Sequence, residues 1–220
     1  MNFAKSIDHT LLKPDARNSD IEKLCREAVT HGFFSVCVNS SRVKEAAANL
    51  QGTGVAVVAV TGFPLGAMST AAKAFETSQA VADGATEIDT VIAIGHLKQG
   101  DNAYVLEDLK AVVAAANGRT VKVIFETCLL TDEEKIRACK LSAEAGVAFV
   151  KTSTGFSSGG ATRDDVLLMH HTVAGRCQVK ASGGIRDRAT ALAMIEAGAT
   201  RLGTSSGAAI LAGETATGSY

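Results

Sequence analysis

Several features are missing from this 220-residue sequence, and each absence removes a class of function. There is no excess of positive charge: 22 Lys and Arg face 23 Asp and Glu, for a formal net charge of −1. A nucleic-acid-binding chain needs a basic face, so nucleic acid is not an expected partner, and any anionic ligand must be held by a local site. No apolar run is long enough to cross a bilayer. No continuous one exceeds six residues, and Val55 to Val60 has the length of a strand, so no membrane association is expected. The opening Met1-Asn2-Phe3-Ala4-Lys5 lacks the apolar stretch of a secretory signal, which makes the cytoplasm the expected compartment. The cysteines (Cys25, Cys37, Cys128, Cys139 and Cys177) are odd in number, scattered and without a C-x-x-C pair, a pattern of reduced thiols. His170 and His171 are adjacent, and no His/Cys/carboxylate cluster has ligand spacing, so no metal is expected. Linkers, low-complexity segments and long repeats are absent as well.

What is present is an ordinary globular composition, 46% hydrophobic and 20% charged, at a length suited to one core. Short β-branched runs alternate with longer helical patterns. The runs Ile7–Leu11, Phe34–Val38, Val55–Val60, Glu87–Ile92, Val121–Glu126, Phe149–Thr152, Gln178–Ala181 and Arg201–Gly203 read as strands. Between them lie Asp20–His31, Ala71–Ala82, Leu106–Ala116, Asp132–Ala145, Arg163–Val173 and Ala189–Ala197, which read as helices. Thr131-Asp132-Glu133-Glu134 and Asp187 supply helix starts, and Gly146 and Gly198 supply stops. This alternation implies parallel strands, because each crossover needs a helix to return the chain to the same edge. A doubly wound open sheet is the alternative, but no G-x-G-x-x-G follows the first strands. The expected fold is therefore α/β, a single-domain (β/α)8 TIM barrel spanning residues 1–220, with a small, polar and flexible tail over 213–220.

In such a barrel the active site forms where the C-terminal strand ends meet the βα loops. That rule sorts the lysines. Lys151 ends the sixth expected strand and Lys180 the seventh, whereas Lys122 lies near the start of the fifth and should face the barrel floor. A free lysine, with a pKa of about 10.4, is only ~0.04% neutral amine at pH 7. Lowering that value to about 7 makes half of it nucleophilic, a gain on the order of 10³-fold for roughly 4–5 kcal/mol. A neighbouring ammonium and an apolar wall both push in this direction, so two lysines atop adjacent strands suggest an activated amine rather than two idle strand ends. Asp89 lies inside Glu87–Ile92, where a carboxylate is costly to bury unless paired; it is expected to point inward toward a lysine. Asp8 and Thr10 share one face of the first strand and are candidates for the same polar network.

The third element is an anion site. Ser182-Gly183-Gly184-Ile185-Arg186 follows the seventh strand and Gly203-Thr204-Ser205-Ser206-Gly207 the eighth, each leading into a helix. Glycines let backbone amides approach an anion closely, and the loops after strands seven and eight form the recurring phosphate site of these barrels. One such site favours a singly phosphorylated substrate over a bisphosphate.

At this point the sequence resembles the deoxyribose-phosphate aldolase family. The resemblance is carried by Ile7-Asp8-His9-Thr10-Leu11-Leu12-Lys13-Pro14, Gly62-Phe63-Pro64-Leu65-Gly66, Glu87-Ile88-Asp89, Glu126-Thr127-Cys128-Leu129-Leu130-Thr131, Val150-Lys151-Thr152-Ser153-Thr154-Gly155-Phe156, Lys180-Ala181-Ser182-Gly183-Gly184 and Gly203-Thr204-Ser205-Ser206. The Lys-Thr-Ser-Thr-Gly-Phe stretch is specific; the Gly-Gly and Ser-Ser loops are common to many barrels. The resemblance implies a class I aldolase that reversibly cleaves 2-deoxy-D-ribose 5-phosphate to D-glyceraldehyde 3-phosphate and acetaldehyde, in deoxyribonucleoside catabolism and without cofactor. It implies Lys151 as the Schiff-base nucleophile, Lys180 as the group that depresses its pKa, and Asp89 as Lys180's partner in proton transfer. Gly155, Gly183, Gly184, Gly203, Ser205 and Ser206 would hold the substrate and its phosphate. Some family members end in a tyrosine that helps move the substrate's C2 proton, which makes Tyr220 a candidate accessory residue.

Two positions depart from the family pattern: Ser40, where proline is common, and Thr61, where an aliphatic residue is usual. Neither removes a catalytic group. Cys37 lies near the expected acceptor pocket, either as a small core residue or as a thiol open to the aldehyde product. Two other functions share these features: a different barrel enzyme acting on a sugar phosphate, and a non-catalytic phosphate-binding module. The trio Asp89, Lys151 and Lys180 weighs against the module. A homodimer suits a small barrel, although no interface stripe is legible.

Overall fold

The β-branched runs pair in sequence order. A computed structural model describes residues 3–216, with strands β1 (Ile7–Leu11), β2 (Ser35–Asn39), β3 (Ala56–Thr61), β4 (Glu87–Val91), β5 (Thr120–Ile124), β6 (Phe149–Lys151), β7 (Gln178–Ser182) and β8 (Arg201–Thr204). Each strand is parallel to the next, and β8 pairs with β1, so the sheet closes into an eight-stranded barrel. β1 covers the expected residues, and the other strands differ by one or two residues at an end, where hydrogen-bonded ladders fray.

The helices follow their local signals. Thr131 opens α6 (Asp132–Ala145) with a complete capping box: its hydroxyl accepts the Glu134 N–H, and Glu134 accepts the Thr131 N–H at 2.8 Å. Gly146, at φ 83°, ends that helix in the left-handed conformation. Asp187 caps α8 (Arg188–Glu196) by accepting the Thr190 N–H at 2.8 Å. Helix α5 (Asn102–Ala115) begins four residues before the expected Leu106, because Asp101 accepts the Tyr104 N–H at 3.1 Å and starts the helix there. The remaining helices are α1 (Asn18–His31), α2 (Val43–Asn49), α3 (Thr70–Ala82), α4 (Ile94–Lys98), α7 (Arg163–Val173) and α9 (Gly207–Ala212). Among the described residues no helix is long and apolar enough to cross a membrane. Beyond α9 the chain turns back, and the Ala216 N–H donates to the Arg186 carbonyl at 3.0 Å; Tyr220 lies outside the described residues.

Alternation along each strand divides the core in two. Outward-facing residues such as Val36, Ala59, Ile88, Val123, Val150 and Leu202 pack against the helices in one continuous apolar layer. The barrel interior is split again. Leu12, Cys37, Val58 and Val60, with Phe63 against them, form a small apolar wall on the β2–β3 side. The rest of the interior carries buried charges, and these define the candidate site.

Candidate active site

Lys151 ends β6 and Lys180 lies in β7, and the ladder places their Cα atoms directly opposite each other. Their side chains therefore leave the sheet on the same face, toward the barrel interior. Asp89 reaches them from β4. Its Oδ2 accepts hydrogen bonds from Lys151 Nζ at 2.7 Å and Lys180 Nζ at 2.8 Å. One carboxylate oxygen thus bridges the two amino groups. The inward orientation expected for Asp89 is what the strand delivers, and with more partners than sequence suggested.

Lys122 also lies inside the barrel. It donates to Asp89 Oδ1 at 2.8 Å and pairs with Glu87 at 2.6 Å, so the floor lysine that sequence set apart is in direct contact with the site. Asp8 joins as expected: it is paired with Lys180, accepts from Arg201 at 2.8 Å and from the Ser35 hydroxyl at 2.6 Å. Thr10 plays a local part, its hydroxyl donating to the Asp8 carbonyl at 2.9 Å.

Sequence did not assign Glu87, Lys122, Arg201 and Ser35 to the site, because a polar side chain on a strand does not reveal what it meets across the barrel. The available signal was their inward register, two residues before Asp89, Ile124, Gly203 and Cys37. Glu126, just beyond β5, is a further residue that sequence did not assign to the site. It adopts φ 58°, and its carboxylate accepts both the N–H and the hydroxyl of Thr154. That hydroxyl in turn accepts the Phe156 N–H at 3.0 Å, so Glu126 anchors the loop that follows Lys151. Phe156 meets Phe63 edge-to-face at 5.2 Å, tying the loops after β3 and β6 together.

Electrostatics separate the two central lysines. Burial is the largest influence on Lys151 and lowers its pKa; Asp89 opposes that effect and Lys180 adds to it, leaving the amine below the usual lysine range. Burial also opposes charge on Lys180, but the carboxylates of Asp8 and Asp89 outweigh it and hold the ammonium well above that range. For Asp89 the burial penalty is outweighed by Lys122, Lys151 and Lys180, so it stays ionised far below the usual carboxylate range. The arrangement thus holds a proton on Lys180 and disfavours one on Lys151. An amine whose protonation burial disfavours, beside a fixed ammonium and a shared carboxylate, has the parts needed for imine chemistry.

Cys37 is fully buried in the apolar wall, and desolvation pushes its thiol up to about 11. The glycine loops converge beyond the lysines. Gly183 and Gly184 adopt φ 85° and 77°, and a Cβ on Gly183 would lie 3.1 Å from Gly160 and 3.3 Å from the Ser153 side chain. Gly155, at φ 87°, is also a neighbour of Gly183. Gly203 serves a packing need, since a Cβ there would lie 3.1 Å from Lys180 Cε. Ser205 is exposed and Ser206 half-buried, and the Ser206 N–H donates to Thr204 rather than standing free. Both serines line a cavity of about 690 Å³ on the β1/β8 side, where Lys13 and Arg17 add cationic groups; Lys151, Lys180 and Asp89 do not line it. The buried amino groups thus lie apart from that cavity.

The chain is similar to known proteins over nearly its whole length. Residues 3–213 match the family described as DeoC/LacD family aldolase. The chain is 61% identical over 212 residues to the deoxyribose-phosphate aldolase of Alkaliphilus oremlandii, covering 96% of each chain. It is 60% identical over 220 residues to that of Bdellovibrio bacteriovorus, covering 100% of both. Among solved structures, the tetrameric deoxyribose phosphate aldolase of Aeropyrum pernix superimposes with a TM-score of 0.89 at 34% identity, over 96% of this chain and 89% of that one.

Proposed function

The chain belongs to the DeoC/LacD aldolase family, and we propose that it cleaves 2-deoxy-D-ribose 5-phosphate reversibly to D-glyceraldehyde 3-phosphate and acetaldehyde through a Schiff base on Lys151. The observation that carries this reading is the shared Asp89 Oδ2, 2.7 Å from Lys151 and 2.8 Å from Lys180. The neutral Lys151 Nζ adds to the C1 aldehyde, and loss of water gives a protonated imine. That cation is an electron sink. When the C3 hydroxyl loses its proton, a C3 carbonyl forms, the C2–C3 bond breaks, and its electron pair forms the enamine double bond between C1 and C2. Glyceraldehyde 3-phosphate departs. Protonation at C2 restores the iminium, and water releases acetaldehyde and free Lys151. Lys180, kept as a cation, and Asp89, touching both amino groups, supply and accept protons near the reacting nitrogen.

The loops at Gly155, Gly183, Gly184 and Gly203, with Ser205 and Ser206, would hold the phosphate in this reading, and turnover would serve deoxyribonucleoside catabolism. Self-association as a homodimer is part of the same proposal, to be read by analytical ultracentrifugation. The decisive experiment is borohydride trapping with 2-deoxyribose 5-phosphate followed by peptide mass mapping. A reduced adduct on Lys151, absent from Lys151→Ala, is the expected result. No adduct on the intact chain would overturn the Schiff-base mechanism.

A further inference from the structure

The buried charges of the barrel interior form a closed ring. Asp8 pairs with Lys180 and with Arg201 at 2.8 Å; Asp89 pairs with Lys180 and with Lys122, each at 2.8 Å; Glu87 pairs with Lys122 at 2.6 Å and with Arg201 at 3.2 Å. Read in order, Asp8, Lys180, Asp89, Lys122, Glu87 and Arg201 alternate in sign and return to the start. All six are buried. Arg201 is further held by the Phe34 ring, 3.5 Å from its guanidinium carbon to the ring centroid. Three carboxylates thus match three cations.

Lys151 is the seventh charged group, paired only with Asp89 among the described ion pairs. With Lys151 neutral the cluster carries no net charge; with Lys151 protonated it carries +1 among buried side chains. A buried net charge is far costlier than a buried neutral network. We propose that Glu87 and Arg201, which do not touch Lys151, are positioning residues that complete this neutral ring and thereby make Lys151 the one amine left without a proton. The groups facing Lys151 or its partners come from seven strands: Asp8, Cys37, Glu87 with Asp89, Lys122, Lys180 and Arg201, and Lys151 itself on β6. The bearing of this proposal on catalysis rests on the Schiff-base reading; its test does not.

The test is a substrate-free titration of protein labelled with ¹³C at the lysine ε-carbons, followed by ¹H–¹³C correlation spectra, with Lys151→Met identifying the resonance. A unit charge on the order of 10 Å away, at an effective dielectric near 20, moves a pKa by about one unit. Glu87→Gln removes a negative charge from the ring and should lower the Lys151 midpoint by about one pH unit. Arg201→Met removes a positive charge and should raise it by a similar amount. The double variant restores neutrality and should return the midpoint to within a few tenths of wild type, and Arg201→Lys should leave it near wild type. A merely structural role would move both single variants in one direction, or neither. Either result, or a double variant that does not return, overturns the proposal. If Arg201→Met does not fold, the isosteric Glu87→Gln decides alone: a downward shift supports the ring, and no shift or an upward one overturns it. Because no imine is involved, a negative trapping experiment leaves this outcome readable.

Discussion

Asp89→Asn is the substitution that bears hardest on the charge network. The carboxylate accepts from Lys122 at 2.8 Å, Lys151 at 2.7 Å and Lys180 at 2.8 Å, and it is fully buried. The amide keeps the shape, removes the charge, and presents two hydrogens to groups that are themselves donors. Removing one partner from a buried ion-paired network costs about 3–5 kcal/mol. A domain of this length has roughly 5–15 kcal/mol in hand, so the variant should still fold. At about 2–4 °C per kcal/mol the thermal midpoint should fall by roughly 6–20 °C. The pH dependence carries a sign that can be checked. The folded Asp89 pKa is depressed below its unfolded value of about 3.9, so its stabilisation is fully present above pH ~4 and is lost as the pH falls through the folded value. The gap between wild type and variant should therefore be widest near neutrality and narrow under acid. Urea unfolding followed by far-UV circular dichroism at several pH values measures this directly. A variant whose midpoint at pH 7 lies within about 2 °C of wild type would refute the view that Asp89 organises the network.

Other outcomes follow from the same contacts. Lys151→Met should trap no sugar yet unfold at an equal or higher urea concentration, because Asp89 keeps Lys122 and Lys180 and a disfavoured amine site is replaced by an apolar one; a loss above about 2 kcal/mol would contradict this. Gly183→Ala places a side chain at φ 85° against Gly160 and Ser153, so it should cost about 1–2 kcal/mol and raise the KM of a phosphorylated substrate more than that of an unphosphorylated one. Equal effects on both substrates would count against the phosphate assignment. In native protein at pH 8, a disulfide reagent followed by peptide mapping should label exposed Cys128 and spare Cys37, whose thiol is buried and pushed up to about 11; rapid labelling of Cys37 would show that the apolar wall opens. Deleting Tyr220 should slow proton exchange at the substrate's C2 without preventing imine formation, and unchanged exchange would remove that residue from the mechanism.

The order of the eight strands and most of the helices were legible because periodicity and caps are local: two-residue alternation marks a strand, and Thr131 with Glu134 or Asp187 with Thr190 marks a helix start, whereas α2 (Val43–Asn49), short and without a side-chain cap, was not. The inward orientation of Lys151, Lys180 and Asp89 was legible for a related reason, since a charged residue on an otherwise apolar barrel strand is costly to bury without a partner. The pairing of those groups was not. A carboxylate on β4 meeting lysines from β5, β6 and β7 depends on strand tilt and on closure through β8 and β1, which no window of sequence contains. The same closure draws Lys122, Glu87 and Arg201 into the network, whose partners on other strands no sequence window shows. Sequence alone thus determined the strands and which of their charged residues face the barrel interior. Tertiary structure decided in which direction each lysine's affinity for its proton is shifted, because that depends on burial and on distances between side chains that barrel closure holds close to one another.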